Sequence, residues 1–381
     1  MTQTTGRDRY LDALRAIAIV RVVTYHMFAV PWLSWAFPAM GVMFALGGSL
    51  MAASMQRSAA RAVRGRIRRL LPPLWAMGLI VVPAMFWHGW TAADGNGRDL
   101  AALVFWVVPL AEPPGNAWAA NVTVVLWYLV TYLWLVLLSP AAWWLFRRRP
   151  LLTVLLPLAL LALLKLGSSP GLTRLDPFAL NGRAAAMLLH VATYGACWCT
   201  GFAHRTGALH RMRLPLLLTA AAACIAAGVA WALIHHGDAS AADLNNFPAA
   251  QALYCLGFVL LVLRAAPAMS WLRRARPLDA LVTVLNARAI TVYLWHNAAI
   301  AVCFPIGDRL QAWRAGQFGY FAVALVLLTL VVAALGWVED LAAKRRPALL
   351  PIHHPHAAQP SHVAPPPPPE SQQAAAGYRD R

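Results

Sequence analysis

The sequence is poor in charged residues. Only 12% of its 381 residues are Asp, Glu, Lys or Arg, whereas about 25% is usual in soluble domains. Acidic residues number 14, and Lys165 and Lys344 are the only lysines. A soluble chain of this size with 60% apolar residues would have to bury nearly all of them, which the ratio of surface to volume does not allow. The composition excludes an ordinary soluble protein and indicates a membrane protein.

Cysteine is also scarce. The chain has five cysteines, all inside or at the edge of apolar segments: Cys197, Cys199, Cys224, Cys255 and Cys303. Disulfide frameworks and zinc sites need regularly spaced or paired cysteines, which this distribution does not provide. We interpret the five as small residues packed among membrane helices. No metal site is predicted from them.

Long apolar runs dominate what is present. About 20 apolar residues cross a bilayer as one helix, and periodicity and length together give the predicted spans. These lie near residues 11–33, 37–56, 72–90, 121–146, 150–167, 183–203, 214–235, 248–265, 284–305 and 317–339. The run 99–111 is too short to cross comfortably, so it is predicted as an interfacial or re-entrant piece. The expected fold is an all-α membrane protein with about ten transmembrane helices.

The basic residues lie between the apolar runs. A net charge of +18 alone would be compatible with nucleic-acid binding, but basic residues that flank spans are typical of cytoplasmic loops. Alternate loops collect arginines, for example 57–69 and 147–149, while the loops between them carry most of the acidic residues. This alternation predicts that both termini are cytoplasmic. We expect a multi-pass plasma-membrane protein that contacts lipids and binds no nucleic acid.

The composition changes near the C-terminus. Residues 347–381 are rich in Pro, Ala, His and Gln, with the proline run 365–369, and have too little apolar surface to pack. We predict a transmembrane domain over 1–346 and a disordered cytoplasmic tail over 347–381. The tail histidines His353, His354 and His356 could hold a metal, but a solvated low-complexity segment is the interpretation that we favour.

The first predicted span contains three ionisable side chains, Arg15, Arg21 and His26. Such groups are costly inside hydrocarbon, so each is a functional-site hypothesis. Arg15 and His26 lie eleven residues apart, about three turns, which places them on one face at roughly 16 Å of axial separation. Arg21 points elsewhere. Arg15 is placed near the cytoplasmic interface, where snorkelling is an alternative role, and His26 near mid-membrane, where imidazole suits a general base.

Three further features could carry chemistry. Arg66, Arg68 and Arg69 belong to a dense basic segment in the first cytoplasmic loop, and such a surface suits a phosphorylated ligand or anionic lipid. His296 falls near the middle of the ninth predicted span, at a depth similar to that of His26. Glu339 lies near the end of the last span, where it could pair with an arginine or orient a catalytic group.

Together these residues resemble the acyltransferase 3 family of membrane proteins. The segment from Tyr10 through Tyr25-His26 is similar to the family's opening helix, in which an Arg and a His have this spacing. Gly41 to Gly48 resembles its second-helix element. The remaining matches are Arg66-x-x-Arg69-Leu-x-Pro72, Trp127-Tyr128-Leu129, Tyr293-x-x-His296 and Val338-Glu339. Two departures stand out: Gly47 replaces the usual Ser, and Asp340 follows Glu339 where Arg-Pro is usual.

The resemblance implies an integral membrane O-acyltransferase with no bound cofactor. Its co-substrate would be acyl-CoA, often acetyl-CoA, and its acceptor a hydroxyl of a carbohydrate or another extracytoplasmic or lipid-linked molecule. Arg66, Arg68 and Arg69 would hold the CoA phosphates, and Arg15, a further contact for them, would belong with His26 to the catalytic residues. His26 would act as general base or carry the acyl group transiently. His296, Glu339 and Tyr25 would support the site.

Two alternatives stay open. A carrier or flippase for a polar or lipid-linked solute would use His26 and the arginines as a pathway, although the sequence has no repeats or broken helix pairs typical of many transporters. A non-catalytic membrane partner could recruit other proteins through its basic loops and Pro-rich tail. That alternative leaves Arg15 and His26 unexplained.

Overall fold

The computed structural model describes residues 9–90, 100–167, 182–235 and 243–349. Every regular element in these ranges is helical, which confirms the all-α prediction. The longer helices are α1 (Arg9–Phe28), α2 (Ala39–Met55), α3 (Ala59–Trp87), α4 (Leu126–Arg148), α5 (Pro150–Gly167), α6 (Gly182–Arg205), α7 (Leu214–Ile234), α8 (Pro248–Ala265), α9 (Arg276–Ala287), α10 (Ala289–Arg309) and α11 (Gly316–Ala342).

Short helical segments lie between the longer helices. They are Leu33–Ala36, Leu100–Leu103, Val104–Val107, Ala120–Thr123, Ala208–Arg211, Leu244–Asn246, Ser270–Arg274 and Ala312–Ala315. Two single turns therefore occupy the start of the run 99–111, and no long helix forms in its described part, in agreement with its predicted short or re-entrant character. Residues 350–381, which include most of the predicted tail and its histidines, lie outside the described residues.

Seven described segments are long and apolar enough to cross a membrane. They are Leu33–Met55, Ala59–Trp87, Ala120–Arg148, Leu214–Ile234, Pro248–Ala265, Ala289–Arg309 and Ala312–Ala342. Helices α1, α5 and α6 also coincide with predicted spans but are not among the seven. In α1 the reason is visible, since it carries Arg9, Asp12, Arg15 and Arg21. The multi-pass architecture is established, while the count of ten remains a prediction.

Three predicted boundaries were wrong. The first span was predicted to run to residue 33, but α1 ends at Phe28, so His26 lies in its last turn. The basic segment assigned to a loop is largely helical, because α3 begins at Ala59 behind the N-cap Ser58, whose Oγ accepts a hydrogen bond from the Arg61 amide at 3.4 Å. The ninth span was predicted to start at residue 284, but the helix is interrupted at Arg288, where α9 ends and α10 begins.

Helix α1 lies between two apolar clusters. Leu14, Ala18 and Val22 pack into a cluster formed mainly with α2, α4, α6 and α8. Ile19 and Val23, on another side of α1, pack into a second cluster formed mainly with α3, α4, α10 and α11. The helix that carries Arg15 and His26 is thus held on two faces by different parts of the bundle. This packing fixes its position relative to both.

Helices α2 and α6 cross at very short range through glycines. A Cβ atom added at Gly48 would lie 2.0 Å from the Trp198 carbonyl oxygen, and one added at Gly201 would lie 2.1 Å from the Ala45 carbonyl oxygen. Neither carbonyl can move away without displacing a helix backbone. Glycine at these two positions is therefore required by the distance between the helices.

We expect Gly201→Ala to destabilise the fold by about 1–3 kcal/mol, the usual cost of overpacking a tight site. Gly65→Ala is the matched control, because a Cβ at this helical glycine has no atom within 4 Å and alanine favours helix by about 0.5–1 kcal/mol. Thermal unfolding in detergent should show a lower midpoint for Gly201→Ala only. Equal midpoints for the two variants would contradict the close crossing.

Candidate functional site

A cavity of about 260 Å³ lies near the end of the bundle at which α1 begins. Four arginines and one carboxylate line it: Arg15, Arg66, Arg69, Arg345 and Glu339. Asn286 and three tyrosines, Tyr128, Tyr132 and Tyr293, add polar groups to an otherwise apolar wall. The excess of guanidinium groups makes the cavity suitable for an anion.

Arg15 points into this cavity. Its Nη1 donates a hydrogen bond to Asn286 Oδ1 at 3.0 Å, and the Asn286 amide in turn donates to the carbonyls of Asp12 and Val282, both at 2.8 Å. The amide group is thereby fixed with its oxygen toward the guanidinium. Arg15 therefore lies inside the bundle rather than reaching outward to headgroups, and the remaining guanidinium donors are available to the cavity.

The three arginines of the predicted donor site separate in the structure. Arg66 and Arg69 line the cavity, and neither forms an ion pair within the described part of the chain. Arg68 does not line it, because its Nε donates to the Ala342 carbonyl at 3.2 Å at the end of α11. The structure thus brings Arg15, Arg66 and Arg69 together and gives Arg68 a contact with a helix terminus.

Glu339 holds the beginning of α10. Its carboxylate accepts hydrogen bonds from the amides of Ile290, at 3.4 Å, and Thr291, at 3.2 Å, and from the Thr291 hydroxyl at 2.9 Å. A carboxylate at this position also interacts favourably with the helix dipole. Of its two predicted roles, the contacts favour orientation, since α10 carries Tyr293 and His296.

Sequence reasoning missed an ion-pair network beside the cavity. Arg288, which is 1% exposed, donates to Asp340 Oδ2 at 2.8 Å and to the Gly336 carbonyl at 2.9 Å. Arg345 contacts the other Asp340 oxygen at 3.1 Å and donates to the Ala287 carbonyl at 3.0 Å. Asp340 therefore holds Arg345 at the cavity wall. The departure from the family pattern at Asp340 was the one feature of the sequence that could have indicated this network.

His26 and His296 meet about three turns of α1 away from Arg15. Their ring centroids are 5.1 Å apart. His26 is exposed, whereas His296 is fully buried and its Nδ1 lies 2.6 Å from the Tyr293 carbonyl oxygen. Because a carbonyl only accepts, Nδ1 of the neutral ring carries the proton and Nε2 is the acceptor. Nε2 is buried with no hydrogen-bond partner among the described residues.

Aromatic side chains separate the histidine pair from the cavity. Tyr293 lines the cavity, and the centroid of its ring lies 5.6 Å from that of the His296 ring. Its hydroxyl donates a hydrogen bond to the Val125 carbonyl at 2.7 Å. Tyr128 packs against Tyr293 at 4.8 Å between ring centroids. Neither His26 nor His296 lines the cavity. The two predicted parts of the site are thus neighbours across a layer of tyrosine.

Tyr25 and Arg21 form a separate group at the end of α1. The Tyr25 hydroxyl donates a short hydrogen bond to Asp243, and the Arg21 guanidinium lies 4.6 Å from the centre of the Tyr25 ring. Arg21 also donates to the Leu33 carbonyl at 3.1 Å. These contacts connect the turn after α1 to the segment before α8. They place Arg21 away from the cavity, as its helical position predicted.

A loop carboxylate lies near the Trp127 motif. Glu112 Oε1 is 4.0 Å from His190 Nδ1, and the His190 ring packs against Trp127 at 4.7 Å between centroids. Partial burial raises the pKa of the Glu112 carboxyl. Trp127, which belongs to one of the family motifs, therefore packs against neighbouring rings. Its ring centroid also lies 5.6 Å from that of Tyr194.

Comparison with known proteins identifies the family. The model of the acyltransferase 3 family, described as an acyltransferase domain, matches residues 8–338. The chain belongs to this family. The match confirms the resemblance drawn from the motifs and ends one residue before Glu339. Searches of the curated proteins and of the solved structures each gave no significant match. With its apolar helices, the protein is a multi-pass membrane acyltransferase.

Both departures of this acyltransferase from the expected pattern have structural reasons. A Cβ at Gly47 would lie 2.7 Å from the Trp198 ring and 2.9 Å from the Tyr132 ring, so a serine would not fit beside these side chains. Trp198 is itself held by a hydrogen bond from its Nε1 to Ser139 Oγ at 3.0 Å. At position 340, the aspartate is required by Arg288.

We expect Asp340→Asn to destabilise the acyltransferase by about 3–5 kcal/mol, because it leaves the buried Arg288 charge uncompensated. Asp308→Asn is the matched control, since Asp308 lies at the exposed end of α10 and accepts an exposed hydrogen bond from the Tyr320 hydroxyl. Thermal unfolding of both variants in one detergent measures the difference. A midpoint for Asp340→Asn close to that of the control would show that the network does not hold the fold.

Proposed function

We propose that the protein transfers an acyl group, most simply acetyl, from acyl-CoA to a hydroxyl of a carbohydrate or another lipid-linked or extracytoplasmic acceptor at the plasma membrane. The observation that carries the proposal is the cavity in which Arg15, Arg66 and Arg69 present guanidinium groups toward one space. A family that moves acyl groups and a cavity that suits a phosphorylated ligand together favour a CoA thioester as donor.

The proposed topology has ten spans with both termini in the cytoplasm. It follows from the positive-inside bias and from the presence of a long helix in each of the ten predicted segments. In this topology the arginine-lined cavity opens on the cytoplasmic side, where acyl-CoA is available. His26 lies toward the opposite side, at the far end of α1.

Arg66 and Arg69 would bind phosphate groups of the donor, and Arg15 would bind the part that reaches deepest along α1. Neither arginine pairs with a carboxylate of the described ranges, which favours this role, because a guanidinium without a carboxylate loses no ion pair when it binds a phosphate. Arg68 would hold the end of α11 against α3 through its hydrogen bond to the Ala342 carbonyl. The thioester would then pass the layer formed by Tyr128 and Tyr293 to reach His26.

At His26 the transfer would proceed by general-base catalysis or through an acyl-imidazole. In the first route His26 removes the acceptor hydroxyl proton while the oxygen attacks the thioester carbonyl, the C–O bond forms, the C–S bond breaks, and the thiolate takes the proton from the imidazolium. In the second, the His26 imidazole attacks the thioester carbonyl, the C–N bond forms and the C–S bond breaks to release the CoA thiolate; the acceptor oxygen then attacks the acyl-imidazole, the C–N bond breaks, and the acceptor proton passes to the thiolate. His296 would orient His26 in either route, with Tyr25 fixing the end of α1.

We expect His26→Ala to abolish CoA release and acyl transfer without loss of folded protein, because the side chain is exposed and supplies the base. The control is His235→Ala, which removes another exposed histidine, one that stacks on Trp231. Free CoA is measured with detergent-purified protein, acetyl-CoA and a panel of sugar acceptors. If wild type binds acetyl-CoA but His26→Ala transfers normally, the role of His26 is wrong. If folded wild type neither binds nor cleaves it, the carrier alternative gains weight.

The double variant Arg66→Ala, Arg69→Ala should raise the KM for acetyl-CoA by about 100-fold or more, since each of the two lost hydrogen bonds to a charged group contributes about 1.5–3 kcal/mol. The kcat at saturating donor should change much less. Arg147→Ala removes an exposed cation at the end of α4 and serves as the control. A decrease in kcat at unchanged KM would argue against donor binding by this pair.

A further inference from the structure

A second basic groove lies next to the cavity. It has a volume of about 300 Å³ and is formed by the end of α2, the following turn and the first turns of α3. Its side chains are arginines and serines, chiefly Arg57, Arg61, Ser54 and Ser58, and none of its lining residues is acidic. Guanidinium and hydroxyl groups together are typical of phosphate recognition.

Three arginines line this groove but not the cavity, Arg57, Arg61 and Arg68, and Arg68 Nε already donates a hydrogen bond to the Ala342 carbonyl at 3.2 Å. Within the described part of the chain, no carboxylate pairs with Arg57 or Arg61, and both side chains are exposed. The two serine hydroxyls already form one hydrogen bond each. Ser58 Oγ accepts a hydrogen bond from the Arg61 amide, and the Ser54 hydroxyl donates one to the Leu50 carbonyl at 3.0 Å. Positive charge in the groove is therefore uncompensated.

The groove shares part of its wall with the cavity. Arg66 and Arg69 line both spaces, so one ligand could contact the same two guanidinium groups from either side. Gly65 adds room, because a Cβ there would have no atom within 4 Å. The cavity alone, at about 260 Å³, is smaller than the roughly 300–1,000 Å³ typical of pockets for drug-sized ligands. A long donor would need both spaces.

We infer that this groove binds the phosphate-bearing nucleotide part of the donor while the cavity takes its acylated arm. The inference rests on the proposed function and extends the binding site to Arg57 and Arg61. A phosphate of an anionic lipid headgroup has related chemistry. The two arginines that line both spaces, Arg66 and Arg69, favour the donor, since a lipid headgroup has no need of the inner space.

The test measures donor affinity in nanodiscs of zwitterionic lipid. Coenzyme A and S-acetylpantetheine, which lacks the nucleotide, are each titrated into wild type, Arg57→Ala, Arg61→Ala and Arg64→Ala. Arg64 is the matched control, because it is an exposed arginine of α3, the helix that also carries Arg61, and it lines neither space. Arg57→Ala and Arg61→Ala should each weaken CoA binding by about tenfold, as expected for loss of one charge-assisted contact, and leave S-acetylpantetheine binding and Arg64→Ala unchanged.

A second pair of variants tests the groove without altering charge. Gly65→Leu should fill the open space and weaken CoA binding, whereas Gly65→Ala should bind CoA nearly as wild type does. Neither change is expected to affect S-acetylpantetheine. This pattern would support occupation of the groove by the nucleotide.

The outcomes separate this inference from the proposed function. If wild type binds CoA and Arg57→Ala and Arg61→Ala match Arg64→Ala, the inference is wrong and the proposed function survives. Equal weakening of both ligands also overturns it. If the variants instead lose only retained phosphatidylglycerol in anionic nanodiscs, the groove binds lipid. No binding of either ligand by folded wild type overturns the proposed function as well.

Discussion

A guanidinium group inside a membrane bundle must have an oxygen partner or face a polar space, because leaving its charge unpaired in a low-dielectric interior is costly. This constraint organises the arginines of the protein. Arg288 is paired with Asp340, and Arg21 with the Leu33 carbonyl. Arg66 and Arg69 pair with no carboxylate among the described residues and face the cavity instead. Paired arginines hold the helices together, and unpaired ones mark the surface available to a ligand.

The same constraint explains how α1 can carry a functional residue near each end. Its apolar residues pack into two different clusters, so the helix is fixed without using Arg15 or His26 for packing. Arg15 is held through Asn286, and His26 stands beside the buried His296. Tyr128 and Tyr293 lie between these two regions. Any acyl group that travels from the arginines to the histidines has to pass them.

Much of the site was predictable because some signals are local. An Arg and a His on one helix face follow from helical periodicity, and apolar runs of sufficient length predict helices. Other features depend on contacts across the chain. Arg345 reaches the cavity only because Asp340, itself bound by Arg288, holds it there. Asn286 matters because it fixes Arg15 from 271 positions away. No spacing within either segment indicates these contacts.

The sequence by itself determined the class of the protein. Its apolar composition, alternating basic loops and separate motifs were sufficient to predict a helical membrane protein of the acyltransferase 3 family, since hydropathy and family motifs are properties of short segments. Only the tertiary structure decided which arginines act together. It placed the basic segment largely on α3, brought Arg68 to the end of α11, and set the groove beside the cavity with Arg66 and Arg69 lining both. Those outcomes depend on how distant helices pack, and packing is decided by shape and pairing across the whole bundle.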